Sequence, residues 1–74
     1  MKPSVGRIVH YVAYGTPGGE FPSGVCRAAV VTEIEMLGVG LCVLNPTGQF
    51  FNRGLVEDQE TKKPGTWHWP ERVE

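Results

Sequence analysis

Two histidines and two cysteines are the side chains best suited to bind a metal or act as nucleophiles: His10, Cys26, Cys42 and His68. Imidazole and thiolate groups are the ligands that zinc prefers in structural sites. Their spacing matches no closed zinc motif, because the chain has neither Cys-x-x-Cys nor His-x3-His. Alternation along the predicted strands places Cys26 on the core face and Cys42 on the opposite face. We therefore predict no metal, no cofactor and no disulfide.

Other patterns that support catalysis are absent or incomplete. Glu33 and Glu35 share the outward face of one predicted strand, where paired carboxylates usually serve solubility. The glycine-rich residues 15–19 lack the Gly-Lys-Ser/Thr ending of a phosphate-binding loop and a following helix. No Gly-x-Ser-x-Gly motif occurs. The sequence predicts a protein that is not an enzyme.

Length and composition indicate a small folded domain. The 74 residues form a single domain (1–74), with 41% hydrophobic and 20% charged residues and a net charge of −1. This charge favours neither nucleic acid nor an anionic membrane as a partner. No apolar run is long enough to span a bilayer, and no signal-peptide pattern follows Lys2. With only two cysteines, the expected location is the cytoplasm.

Short strands rich in β-branched and aromatic residues dominate the chain. Ten glycines and six prolines favour many short elements joined by turns. A long loop at 15–24 and a polar connector at 57–65 complete the pattern. Helix is the competing interpretation for residues 26–36, but period-2 alternation and valines favour a strand. The five predicted strands cover residues 5–14, 26–35, 39–44, 49–56 and 66–69.

The second strand alternates between an apolar and a more polar face. The predicted core face carries Cys26, Ala28, Val30, Thr32 and Ile34. The predicted outer face carries Arg27, Ala29, Val31, Glu33 and Glu35.

Two tight turns predict how the three central strands pair. A turn at Met36-Leu37 sets Val30 against Val43, Thr32 against Leu41 and Ile34 against Val39. A three-residue loop after Asn45 pairs Asn45 with Gln49 and so sets Val43 against Phe51. Together the two registers predict a core row formed by Val30, Val43 and Phe51.

These elements predict an all-β fold, a small five-stranded SH3-like barrel built on an antiparallel meander. The order of connections supports it: a long first loop, two tight turns, then a connector to a short last strand. A five-stranded oligonucleotide-binding barrel is the alternative, although it usually needs a longer chain and a helix between its third and fourth strands.

Aromatic residues are the main candidates for binding a partner. Trp67 and Trp69 lie two residues apart, so both should point to one face of a strand and His68 to the other. At least one tryptophan is expected to fill the core together with Phe51. We predict a protein-interaction module with an aromatic groove for an extended peptide, and exposed sheet edges that also permit a homo-oligomer. The predicted contact residues are Tyr11, Tyr14, Phe21, Phe50, Trp67 and Trp69.

Nucleic-acid binding is the alternative function. Arg7, Arg27 and Arg53 lie on three different predicted strands, where guanidinium groups beside aromatic rings can meet phosphates and bases. Glutamates on the same strands and the negative net charge argue against it.

The whole chain resembles a family of small uncharacterised proteins from actinobacteria and their tailed bacteriophages. Residues 1–11, 43–48, 50–52 and the closing Pro-Gly-Thr-Trp-His-Trp-Pro-Glu at 64–71 carry the resemblance. It implies a phage or prophage origin, a host-cytoplasmic location and a host or phage protein as partner, but no activity. Relatives have longer insertions where this chain has only residues 35–38.

Overall fold

The computed structural model describes residues 2–15 and 24–70, which form five β-strands. Each observed strand falls within about three residues of a predicted one, and residues 26–35 form a strand rather than the alternative helix. The strands are β1 (Ile8–Val12), β2 (Cys26–Glu35), β3 (Gly38–Asn45), β4 (Gly48–Leu55) and β5 (Trp67–His68).

The five strands form one sheet in the order β4-β3-β2-β1-β5, with every neighbouring pair antiparallel. The predicted all-β class and the antiparallel meander are confirmed, and β5 adds to the free edge of β1. The sheet curls without closing into a complete barrel. A two-residue turn joins β3 to β4, so the helix expected of an oligonucleotide-binding barrel is not present there.

The core lies on the inner face of the sheet. On β2, the buried side chains are those predicted to lie on the outer face. Ala29 and Val31 are buried, whereas Cys26 and Ala28 are exposed. Both faces of this strand carry small apolar residues, so alternation alone does not distinguish them. The buried apolar side chains are Val9, Tyr11, Ala13, Ala29, Val31, Val39, Leu41, Val43, Leu55 and Trp67.

Two irregularities flank Gly40 and change the register of its neighbours. On β2 the register shifts between Val31 and Glu33, and in the β3–β4 pair it shifts between Val39 and Leu41. A Cβ at Gly40 would lie 2.8 Å from Cγ of Glu33, so any larger residue would require the Glu33 side chain to move.

The bulge explains why the predicted β2–β3 register is right at one end and wrong at the other. Ile34 pairs with Val39 as predicted. Beyond the bulge the partners differ by one residue, so that Ala29, not Val30, pairs with Val43, and Val31, not Thr32, pairs with Leu41.

The β3–β4 hairpin is one residue shorter than predicted. Asn45 pairs with Gly48 across a two-residue turn, and Val43 therefore pairs with Phe50 instead of Phe51. The predicted core row of Val30, Val43 and Phe51 is wrong. Phe51 lies on the outer face with 68% of its surface exposed.

The polar connector at 57–65 is organised by Asp58. The Asp58 carboxylate accepts hydrogen bonds from the Thr61 backbone N–H (3.0 Å), the Thr61 hydroxyl (2.5 Å) and the Lys63 backbone N–H (3.2 Å). Its own backbone N–H donates to the carbonyl of Trp67 (2.8 Å), and Glu57 forms an isolated parallel bridge with Trp67. These bonds hold the segment after β4 against β5.

Candidate functional site

An apolar pocket lies between the end of β1 and the start of β4 on the inner face of the sheet. Its volume is about 360 Å³, close to the lower end of the range of small-molecule and peptide sites. Three of the predicted contact residues, Tyr11, Tyr14 and Phe50, lie together in its wall. The complete lining is Tyr11, Ala13, Tyr14, Gly15, Asn45, Phe50 and Asn52.

Tyr11 forms the buried side of the pocket. Only 2% of its surface is exposed, and its ring meets that of Phe50 edge-to-face with 5.8 Å between the centroids. Burial raises the pKa of the Tyr11 hydroxyl, while a hydrogen bond from the Asn52 side chain opposes this effect. The Asn52 Oδ1 accepts a hydrogen bond from the backbone N–H of Arg53 (3.0 Å), which orients the amide.

Tyr14 forms the exposed side of the pocket and packs on Gly65. The ring of Tyr14 is 67% exposed, and a Cβ at Gly65 would overlap its hydroxyl and ring edge. Gly65 also has φ of +85°. Its backbone N–H donates to the carbonyl of Val12 (2.8 Å), and Thr66 accepts from the Val12 N–H (2.9 Å). The turn before β5 therefore supports the pocket wall.

The other predicted aromatic residues lie elsewhere. Trp67 is in the core, with 2% of its surface exposed, and it does not line the pocket. Trp69 is half-buried and packs against the core, with its ring 5.4 Å from that of Trp67. The prediction that both rings share one face of the chain is confirmed. Phe21 lies outside the described residues.

The three predicted arginines do not form one basic surface. Arg53 donates from Nε to Oε1 of Glu33 at 2.6 Å, and Arg7 lies over the ring of Trp69 at 5.1 Å from its centroid. Arg27 is half-buried near the start of β2, where its backbone pairs with Tyr11. The Arg7 carbonyl accepts from the N–H of Val31, four residues further along β2.

His10, Cys26 and His68 come together on the outer face of β1, β2 and β5. Register explains the cluster, since His10 pairs with His68, and Cys26 pairs with Val12, two residues along β1. The ligand atoms of all three residues lie within 4.8 Å of one another. The Cys26 Sγ is 3.4 Å from the His68 Nε2, and the two imidazole centroids are 5.4 Å apart.

The predicted face of Cys26 is wrong, whereas Cys42 lies on the outer face as predicted. Cys26 and Cys42 are on the same, outer face, because Cys42 pairs with Val30, an even number of residues from Cys26. Cys42 still lies apart from the cluster, since four residues of strand span about 13 Å. Both cysteines are free thiols, and this separation is beyond the reach of a disulfide. Spacing in sequence offered no signal for the cluster, which depends on strand pairing.

The outer face also carries an apolar row across four strands. The paired residues are Ile8, Val30, Cys42 and Phe51. Ile8 and Phe51 are exposed. The homo-oligomer expected from the exposed sheet edges stays a prediction.

Comparison of the chain with protein-family models, curated protein sequences and solved structures found no significant match. The resemblance to small actinobacterial and phage proteins therefore stays a prediction. Among residues 2–15 and 24–70, no helix is long and apolar enough to cross a membrane.

Proposed function

We propose that the protein is a non-enzymatic interaction module that binds an extended, proline-containing peptide in the Tyr11–Tyr14–Phe50 pocket. The observation that carries the proposal is the pocket itself, where Tyr11 of β1, Tyr14 just after β1 and Phe50 of β4 line a cavity of about 360 Å³. Aromatic-lined grooves are the usual receptors for polyproline II segments.

The rings and the polar groups of the pocket suit this class of ligand. Tyr14 and Phe50 expose apolar surface on which a pyrrolidine ring can pack. A polyproline II segment has no internal hydrogen bonds, so its carbonyl groups need donors. Because the Asn52 side chain donates to the Tyr11 oxygen, the Tyr11 O–H remains available to donate to a peptide carbonyl. The Asn45 side chain is a second donor at the pocket.

The location of the partner follows from the predicted origin of the protein. If the resemblance to phage and actinobacterial proteins holds, the peptide belongs to a host or phage protein in the host cytoplasm. Nucleic-acid binding is the less favoured function, because Arg53 is paired with Glu33 and the net charge is −1.

The test is a titration with a library of proline-rich peptides, followed by amide chemical-shift mapping. We expect dissociation constants of about 10–100 µM, or near −6 kcal/mol, because the pocket is small. Phe50→Ala and Tyr14→Ala should each weaken binding at least about tenfold by removing a ring. Phe51→Ala is the matched control, since Phe51 is the next residue and lies on the opposite face.

Three outcomes would contradict the proposal. Shifts confined to the outer face, or loss of binding in Phe51→Ala with retention in Phe50→Ala, would move the interface to the outer row. Binding of oligonucleotides that weakens steeply with salt and depends on Arg7 or Arg27 would favour the nucleic-acid alternative.

A further inference from the structure

The cluster of His10, Cys26 and His68 lies on the face of the sheet opposite to the pocket and shares no residue with its lining. Three neighbouring strands, β5, β1 and β2, each contribute one residue. Because antiparallel pairing sets these strands in register, the backbone positions of the cluster are set before any ligand arrives.

The distance between the ligand atoms of Cys26 and His68 matches that of two ligands on one tetrahedral metal ion. Zinc binds imidazole nitrogen at about 2.0–2.1 Å and thiolate sulfur at about 2.3 Å. At tetrahedral angles these lengths place ligand atoms about 3.3–3.6 Å apart. The observed Sγ–Nε2 distance between Cys26 and His68 is 3.4 Å, and the widest separation within the cluster is no more than 4.8 Å. The His10 imidazole lies within the same 4.8 Å limit, so binding of a shared ion requires its nitrogen to come closer by no more than about 1.5 Å.

We propose that His10, Cys26 and His68 bind one Zn²⁺ ion, with the fourth coordination position open to solvent. Two imidazoles and one thiolate form a borderline-soft donor set that suits zinc rather than magnesium or calcium. The His68 ring is fully buried, so the packing around it restricts its movement. Cys26 is exposed, so an ion can reach the cluster from solvent. Three protein ligands with one open position is the arrangement in which zinc retains a water or accepts an external ligand.

The first test is titration of the folded, metal-free protein with Zn²⁺ against a chromophoric chelator, in the presence of a non-thiol reductant. We expect one ion per chain with a dissociation constant below about 1 µM. Co²⁺ in place of Zn²⁺ should give a thiolate-to-metal charge-transfer band and the visible spectrum of a four-coordinate ion.

Single substitutions test whether the bound Zn²⁺ is held by the cluster or by another thiol. Cys26→Ser and His10→Gln should each weaken Zn²⁺ binding at least about tenfold, and Cys26→Ser should abolish the charge-transfer band. Cys42→Ser is the matched control and should retain both. His68→Ala is less informative, because the removal of a fully buried side chain also threatens folding.

The proposal fails if the folded protein binds no Zn²⁺, or if binding survives in Cys26→Ser and His10→Gln. It also fails if Cys26 is alkylated much faster than Cys42 while Zn²⁺ does not protect it. That result would indicate that His68 activates the Cys26 thiol as a nucleophile instead of sharing a metal ion with it.

Discussion

The rings of Tyr11 and Phe50 lie 5.8 Å apart although their strands, β1 and β4, are separated by β2 and β3 in the sheet. In a flat sheet three strand intervals would place them about 14 Å apart. The contact therefore requires the sheet to curl, and the curl is what creates the pocket between these two strands.

Replacement of Phe50 should affect stability more than replacement of Phe51. Phe50→Ala removes the edge-to-face contact with Tyr11, so we expect a loss of about 1–2 kcal/mol in the free energy of unfolding, less than for a fully buried phenylalanine. Phe51→Ala removes a ring that is mostly exposed, and we expect about 0.5 kcal/mol or less. Urea denaturation of both variants measures the difference. Equal losses would contradict the observed register of β4.

Gly65→Ala should displace Tyr14 from the pocket wall. The new methyl group would overlap the Tyr14 ring, and φ of +85° disfavours any L side chain. We expect a loss of about 1–3 kcal/mol together with weaker peptide binding. Gly48→Ala is the matched control, because a Cβ there meets no heavy atom within 4 Å. Thermal denaturation and amide shifts at Tyr14 provide the measurement, and an unchanged Tyr14 environment in Gly65→Ala would contradict the packing.

The turn around Asp58 should weaken in acid. Hydrogen bonds from Thr61, then from the Lys63 backbone, hold the pKa of the Asp58 carboxyl well below its usual range. Because the pKa of Asp58 is lower in the folded than in the unfolded state, its ionised form stabilises the fold at pH values above the unfolded pKa of about 4. This stabilisation is lost as the pH falls from about 4 towards the lower folded-state pKa. Melting temperatures measured from pH 7 to pH 2 should therefore decline more for the wild type than for Asp58→Asn. A parallel decline in the two proteins would show that Asp58 does not contribute.

Tyr11 should limit stability at alkaline pH. Burial raises the pKa of its hydroxyl above 10.0, so the folded state favours the neutral phenol. This contribution is present below about pH 10 and is lost as the pH rises through the raised value. Absorbance titration of phenolate should show one late-titrating tyrosine that disappears in Tyr11→Phe. If Tyr11→Phe leaves the alkaline titration and unfolding curves unchanged, the buried position of Tyr11 is contradicted.

The sequence by itself determined the strands and the residue types available for binding. β-Branched runs between glycine and proline turns are a local signal, and they predicted all five strands and the antiparallel meander. Alternation likewise placed Trp67 and Trp69 on one face and His68 on the other. The aromatic residues Tyr11, Tyr14 and Phe50 were singled out as contact residues by their type.

Only the tertiary structure decided which residues meet. The irregularities on either side of Gly40 and the shorter turn after Asn45 each shift the pairing by one residue, and such a shift exchanges the two faces of a strand. The shorter turn moved Phe51 outward and brought Phe50 to Tyr11. The pairing of β1 with β2 and β5 placed Cys26 beside His10 and His68. Bulges depend on packing between strands, such as the close approach of Glu33 to Gly40. The alternation of residues within one strand therefore does not reveal them.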